Sequence, residues 1–229
     1  MKKSLRILSL VIVAMLLVGT LFGCGDDTSG KFVLGGIGPI TGTAATYGQS
    51  VRNGAQIAVD EINAAGGVNG VKLAFLFQDD EADGAKSVPA YENLMDQGMQ
   101  ILIGAVTSGA SVALNDAVGK DGILQITPSA SQLEAANQNP NAFRVCFTDP
   151  LQGVAMADYA YNTLGYKKAA VIHNQDDDYS TGMYKAFVEE FKKLGGKIDF
   201  VDAVRFEKGE GIEKKQENFA EEIASMIKG

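Results

Sequence analysis

The sequence predicts an α/β protein whose parallel sheets carry helices on both faces. Three observations lead there. From residue 31 onward the hydrophobic period switches repeatedly between two and about 3.6 residues. The apolar runs of the first kind are short, and runs of helical spacing separate them. Glycines fall where the helices should stop. Strands alternating with helices imply parallel pairing through right-handed crossovers.

Each element follows from its residues. KFVLGGI (31–37) is a buried strand, and Val51, Ala55, Ala58, Val59 and Ile62 then recur at helical spacing until Gly66-Gly67 closes the helix. VKLAFLF (71–77) is the next strand, ending in Gln78-Asp79-Asp80. Residues 84–97 form a helix with Val88, Tyr91, Leu94 and Met95 on one face. Pro89 should make it start late or kink, and Gly98 ends it. MQILIGA (99–105) and GILQITP (122–128) are strands flanking a short helix over 110–120. A helical turn near 131–137 leads to the extended segment AFRVCFT (142–148). Beyond it lie a helix over 151–164, the strand AAVIHN (169–174), and a helix over 181–194 ended by Gly195-Gly196. The strand KIDFVDAVRF (197–206) and a helix over 216–228 complete the series. Asp149-Pro150 is the best boundary, separating a first lobe (31–149) from a second, incomplete one (150–229).

Composition narrows the function. The chain has 229 residues, 46% hydrophobic and 21% charged, enough apolar material for a core. Its net charge is −8, and beyond residue 23 there are 17 basic against 28 acidic residues. No run of Lys and Arg is present to displace counterions from phosphates, which excludes nucleic acid as a partner.

The N-terminus reads as an address. Lys2, Lys3 and Arg6 precede the apolar run ILSLVIVAMLLVG (7–19), then Leu21-Phe22-Gly23-Cys24. A basic start, an apolar run too short for a membrane span and small residues before a cut site describe a secretory signal over 1–23. The Leu-x-Gly-Cys ending resembles the bacterial lipobox, which implies lipidation of Cys24 and anchoring at the outer face of the cell membrane. Residues 24–30 are small and polar, a flexible tether. The other cysteine, Cys146, sits in the apolar segment FRVCF and reads as a buried structural thiol.

Several segments coincide with one family. Gly38-Pro39-Ile40-Thr41-Gly42, Tyr47-Gly48, Asn53-Gly54-Ala55 and the run Glu61 to Gly70 (EINAAGGVNG) resemble the start of the branched-chain amino-acid-binding proteins of ABC importers. So do Asp79-Asp80, Ile103-Gly104, Gly122-Ile123 and Thr127-Pro128-Ser129-Ala130-Ser131. The resemblance implies a type I periplasmic-binding-protein fold, with two lobes closing on a small ligand in the cleft between them. It implies an extracytoplasmic solute-binding lipoprotein that hands an amino acid to ABC permease subunits, with no catalysis and no cofactor.

Physical chemistry supports the transfer. Ligands of open α/β sheets sit beyond the carboxyl ends of the strands. Those ends here are GPITG, TSGAS, TPSAS and HNQDDDYS, rich in hydroxyls and small residues. Helices begin directly after three of them, and a helix start offers free N–H groups and partial positive charge to a carboxylate. On the family pattern Ser108 and Ser131 grip the ligand's α-carboxylate, helped by backbone groups of Thr107 and Ser129, while Tyr47 and Tyr179 line the cleft from opposite lobes. An N-cap role is the competing explanation for each serine.

The family's acidic partner for the ligand's ammonium falls beyond Gly229, so a chain of this extent is expected to bind weakly or not at all. Three other readings have less support. Gly36-x-Gly38 lacks the third glycine of a dinucleotide fingerprint, because Thr41 stands there, and the first acid after the next strand is Asp79, about 40 residues on rather than ~20. Asn174, Asp176 and Asp178 alternate as in a calcium loop, yet Tyr179 and Lys185 occupy the positions where an EF-hand needs Gly and Glu. His173, the only histidine, reads as a packing or cleft-rim residue, and no metal site is expected. A sensory module of the same fold would carry a fused transmembrane or helix-turn-helix segment, and neither is evident.

Overall fold

The computed structural model describes residues 28–204. The signal segment, Cys24, most of the tether and the helix expected over 216–228 lie outside the described residues. The first sheet has five strands, β1 (Phe32–Gly38), β2 (Leu73–Asp79), β3 (Ile101–Ile103), β4 (Leu124–Thr127) and β5 (Ala142–Arg144). All neighbours run parallel, in the order β2-β1-β3-β4-β5. A second parallel sheet pairs β6 (Lys168–Asn174) with β7 (Lys197–Val204). The predicted α/β architecture is therefore the one formed.

Helices α1 (Ala45–Ala64), α2 (Gly84–Asp96), α3 (Ser108–Asp121), α4 (Glu134–Asn137), α5 (Asp149–Asp158) and α6 (Asp178–Lys193) connect the strands, and a π-turn (Tyr159–Thr163) extends α5. The first core lies where α2 and α3 meet the sheet. Val33, Ile37, Leu76 and Leu102 from the strands pack with Tyr91, Leu94, Leu114 and Val118 from the helices, all buried. Burying such side chains contributes about 1.5–3 kcal/mol each. The Tyr91 hydroxyl reaches the core's edge and donates to Asp121 (3.1 Å).

Two elements differ from expectation. Helix α2 starts before Pro89 rather than after it, because Asp83 caps it by accepting the Ala85 N–H (2.9 Å) and fixes the first turn independently of the proline. On α1, only Val59 of the predicted apolar face is fully buried, while Ile62 is exposed, since the helix rests on β1 and β2 along one narrow line. Its C-terminal end closes as predicted. Gly66 and Gly67 take positive φ, and the Gly67 N–H donates to the Ile62 carbonyl (2.8 Å).

Topology selects one end of the first sheet. The chain leaves β1 to one side for β2, then crosses to the other side for β3. A topological switch point therefore lies between the carboxyl ends of β1 and β3, where open parallel sheets leave a crevice. Residues at the starts of α5 and α6 face that end, and the two helices pack closely on each other. A methyl group on Gly153 would sit 2.6 Å from the Ala186 methyl, so glycine sets this distance.

Candidate functional site

The tip after β1 is held from below. Asp79 closes β2, and its carboxylate accepts from the Ile40 N–H (2.9 Å), the Thr41 hydroxyl (2.6 Å) and the Glu81 N–H (3.0 Å). Burial alone would raise its carboxyl, but these donors together hold it below the ordinary value. The fixed loop delivers Ala44 and Tyr47, and Gly48 behind them lies against the Pro39 carbonyl so closely that a Cβ would stand 1.8 Å from the oxygen.

The tips after β3 and β4 are laced together. The Ala105 carbonyl accepts from the Ser111 hydroxyl (2.9 Å) and the Thr127 hydroxyl (2.7 Å), and the Ser129 hydroxyl donates to the Val106 carbonyl (2.6 Å). The Gln132 N–H donates to Ser108 Oγ (3.3 Å), which brings the two predicted carboxylate-binding loops into contact. Both serines are buried, with exposures of 4% and 3%. Neither is a helix cap. Thr107 holds the cap position of α3 and Ser108 is its first helical residue, while Leu133 precedes α4. The Thr107 hydroxyl forms no cap bond and has no partner in its buried position. The first-turn N–H groups of α3 have no intrahelical acceptors, as at any helix start.

These tips face one cavity of about 350 Å³, within the range of about 300–1,000 Å³ usual for small-molecule sites. All six side chains singled out in the sequence, Tyr47, Thr107, Ser108, Ser129, Ser131 and Tyr179, line it. The second lobe supplies Tyr179 and Asp177, which stand after β6, and Gln152 from the first turn of α5. The Tyr179 hydroxyl donates to Gln152 Oε1 (3.4 Å), leaving the buried Gln152 amide nitrogen without an acceptor. Burial raises the Tyr179 phenol, and the charges of Asp149 and Asp177 add to the effect.

Sequence reasoning missed several wall residues. Cys146 and Phe147 follow β5 and line the same cavity, so Cys146 is a half-buried cleft residue rather than an interior thiol, and burial raises its thiol. Asp149 is fully buried at the start of α5, and neither carboxylate oxygen receives a well-formed hydrogen bond, the Ser131 hydroxyl lying nearest among the donors that favour its charge. Burial raises its carboxyl, and the nearby Ser131 hydroxyl and Arg144 offset only part of that. Cys146, Phe147 and Asp149 all follow β5, whose tip, like that of β2, is not among the strand ends singled out in the sequence.

Two other hollows accompany it. A broader one of about 560 Å³ runs along 136–144 and includes none of the unpartnered buried polar atoms. Another, of about 290 Å³, lies between β6 and α6, where the His173 ring stacks on Tyr184 at 4.1 Å and its buried Nδ1 has no hydrogen-bond partner. Among the described residues no cluster of three or more potential ligands to a metal ion occurs, and no helix is long and apolar enough to cross a membrane.

Comparisons with known proteins agree on one family. The model of the periplasmic binding protein family matches residues 31–224. The Leu/Ile/Val-binding protein homolog 3 of Brucella melitensis is 34% identical over 193 residues, 84% of this chain and 51% of that protein. The branched-chain amino acid transporter substrate-binding protein LivJ from Streptococcus pneumoniae, solved with isoleucine, superposes with a TM-score of 0.72 at 31% identity, covering 79% of this chain and 51% of that one. A solute-binding protein of an ABC transporter from R. palustris, solved with benzoate, gives 0.72 at 26% identity over 82% and 52%. The chain spans about half the length of these relatives. With nearly all of residues 31–224 matched and the strand-tip cavity in place, the chain belongs to the periplasmic binding protein family.

Proposed function

We propose that this chain captures a small amino acid outside the cytoplasmic membrane, for delivery to the permease of an ABC importer. It binds its ligand without transforming it. The observation that carries this reading is the convergence, on one cavity, of the α3 N-terminus with the Ser108 and Ser131 side chains. A carboxylate placed there receives free backbone N–H groups, hydroxyl donors and the favourable end of the helix dipole. The ligand's apolar part then lies among Tyr47, Phe147 and Tyr179. Relatives with leucine, isoleucine and valine in their names, and one solved with isoleucine, support a branched-chain or similar amino acid. Lipidation of Cys24 would hold the domain near the permease, with residues 25–30 as the tether.

The described cavity grips one end of such a ligand. Two charge-assisted hydrogen bonds at about 1.5–3 kcal/mol each total roughly 3–6 kcal/mol, a range that brackets the ~4.1 kcal/mol of a millimolar dissociation constant. Calorimetry with L-leucine, L-isoleucine, L-valine and leucinamide tests this. Binding of the three acids but not of the amide is expected. Equal binding of leucine and its amide, or no heat with any of the four, refutes the carboxylate site.

A further inference from the structure

Asp149 stands behind the Ser131 hydroxyl. It is fully buried in the first turn of α5 and lies outside the cavity lining, whereas Ser131 lines the cavity. The Asp149 N–H donates to the Ser131 carbonyl (2.9 Å), which holds the two residues against each other. Asp149 Oδ2 packs against α6, where a methyl group on Gly182 would stand 2.6 Å away. Of the groups that favour the Asp149 charge, the Ser131 hydroxyl comes first and Arg144 second.

No counter-charge reaches this carboxyl. The Arg144 guanidinium, at the end of β5, donates instead to the carbonyls of Ala130 (3.2 Å), Gln132 (2.5 Å) and Leu133 (2.6 Å). Asp177 before α6 and Glu134 in α4 oppose the charge of Asp149, and Cys146 and Tyr179 both feel it. Among the described residues no ion pair includes Asp149. Burial raises its carboxyl more than Ser131 and Arg144 lower it.

A serine hydroxyl has one proton to give. An ionised carboxylate only accepts, so it draws the Ser131 proton away from the cavity and leaves the Oγ lone pairs facing it. A neutral carboxyl carries a proton of its own, which it can donate to Oγ, and the Ser131 proton is then free to turn toward the cavity. We infer that Asp149 is a positioning residue for ligand capture, delivering the Ser131 proton to the ligand's carboxylate when neutral and withholding it when ionised. The inference rests on the carboxylate site proposed above. Because the protonated form of Asp149 binds a carboxylate better, affinity rises as pH falls through the titration of this carboxyl, and ligand binding takes up a proton.

The test is an NMR titration of the full chain with L-leucine at pH 5, 6 and 7, where neither charge of leucine titrates appreciably. Wild type should bind about threefold or more tightly at pH 5 than at pH 7. The amide of Asp149→Asn donates to Ser131 Oγ at every pH. This variant should bind leucine about threefold or more tightly than wild type at pH 7, with an affinity level across the three values. Asp149→Ala removes the charge without supplying a donor, and should bind more weakly than Asp149→Asn throughout, which separates orientation of the hydroxyl from loss of charge. Asp80→Asn removes another buried acid, outside the cavity lining, and should keep the wild-type profile. Melting curves at each pH establish folding, and the comparison of wild type with Asp149→Asn decides alone should the alanine variant not fold. A wild-type affinity independent of pH, a pH dependence that survives Asp149→Asn, or equal binding by the asparagine and alanine variants overturns the role of Asp149 while the carboxylate site stands. Absence of leucine binding to wild type and Asp149→Asn at all three pH values removes both.

Discussion

Replacing Asp80 with asparagine should flatten the pH dependence of stability between pH 4 and pH 7. Asp80 follows β2 directly and is inaccessible to solvent. Its Oδ1 accepts the Ala82 N–H (2.9 Å), while Oδ2 has no partner. Burial pushes its carboxyl up from 3.8 to about 6, and the charges of Asp79 and Asp83 contribute in the same direction. The folded chain thus keeps a proton that the unfolded chain has lost. Stability from this group is fully present below about pH 4, declines as pH rises through about 6, and is level above that. A displacement of roughly two units at ~1.36 kcal/mol each gives about 3 kcal/mol. Asparagine preserves the Oδ1 acceptor and cannot ionise. Its amide nitrogen lacks an acceptor, a pH-independent cost of about 1–3 kcal/mol. Urea unfolding followed by circular dichroism at pH 4, 5, 6 and 7 measures both chains. The variant should be the weaker at pH 4, and the difference should shift in its favour by about 3 kcal/mol by pH 7. Parallel profiles would refute the reasoning.

Three further outcomes follow from the same geometry. Ser131→Ala should weaken binding of a carboxylate ligand by ~1.5–3 kcal/mol in calorimetry, while the backbone bond from the Asp149 N–H to the residue-131 carbonyl is kept. Asp149→Asn should raise the melting temperature of the ligand-free chain at neutral pH. Burial raises this carboxyl, so its ionised form opposes folding, and the gain should fade on acidification. Gly48→Ala forces a methyl against the Pro39 carbonyl and should cost at least about 1–3 kcal/mol in thermal unfolding, with a parallel loss of ligand affinity through displacement of Tyr47.

Much of the fold was legible because hydrophobic period and glycine position are local signals. The alternation of VKLAFLF and its neighbours with helical runs dictated parallel strands, and Gly66-Gly67 marked the end of α1. The family resemblance named Ser108, Ser131, Tyr47 and Tyr179, and the structure brings all four to one cavity, although the last two lie 132 residues apart. What remained hidden depends on three dimensions. No local pattern tells that the Asp149 carboxylate is fully buried beside Ser131, or that Asp177 both caps a helix and faces the cavity. Cys146 looked interior because its neighbours Val145 and Phe147 are apolar, yet the side chains of both are exposed beyond β5. The burial of α1 was overestimated for the same reason, since amphipathic spacing gives a direction and not the extent of what covers it.

The account stands most directly on where a ligand's negative end lies. A crystal structure of the chain soaked with L-leucine should place a carboxylate oxygen within about 3.2 Å of the Ser108 amide or hydroxyl, and the same group beside Ser131. Leucine seated instead in the hollow along 136–144, or its carboxylate turned toward Asp177 and away from α3, would contradict it.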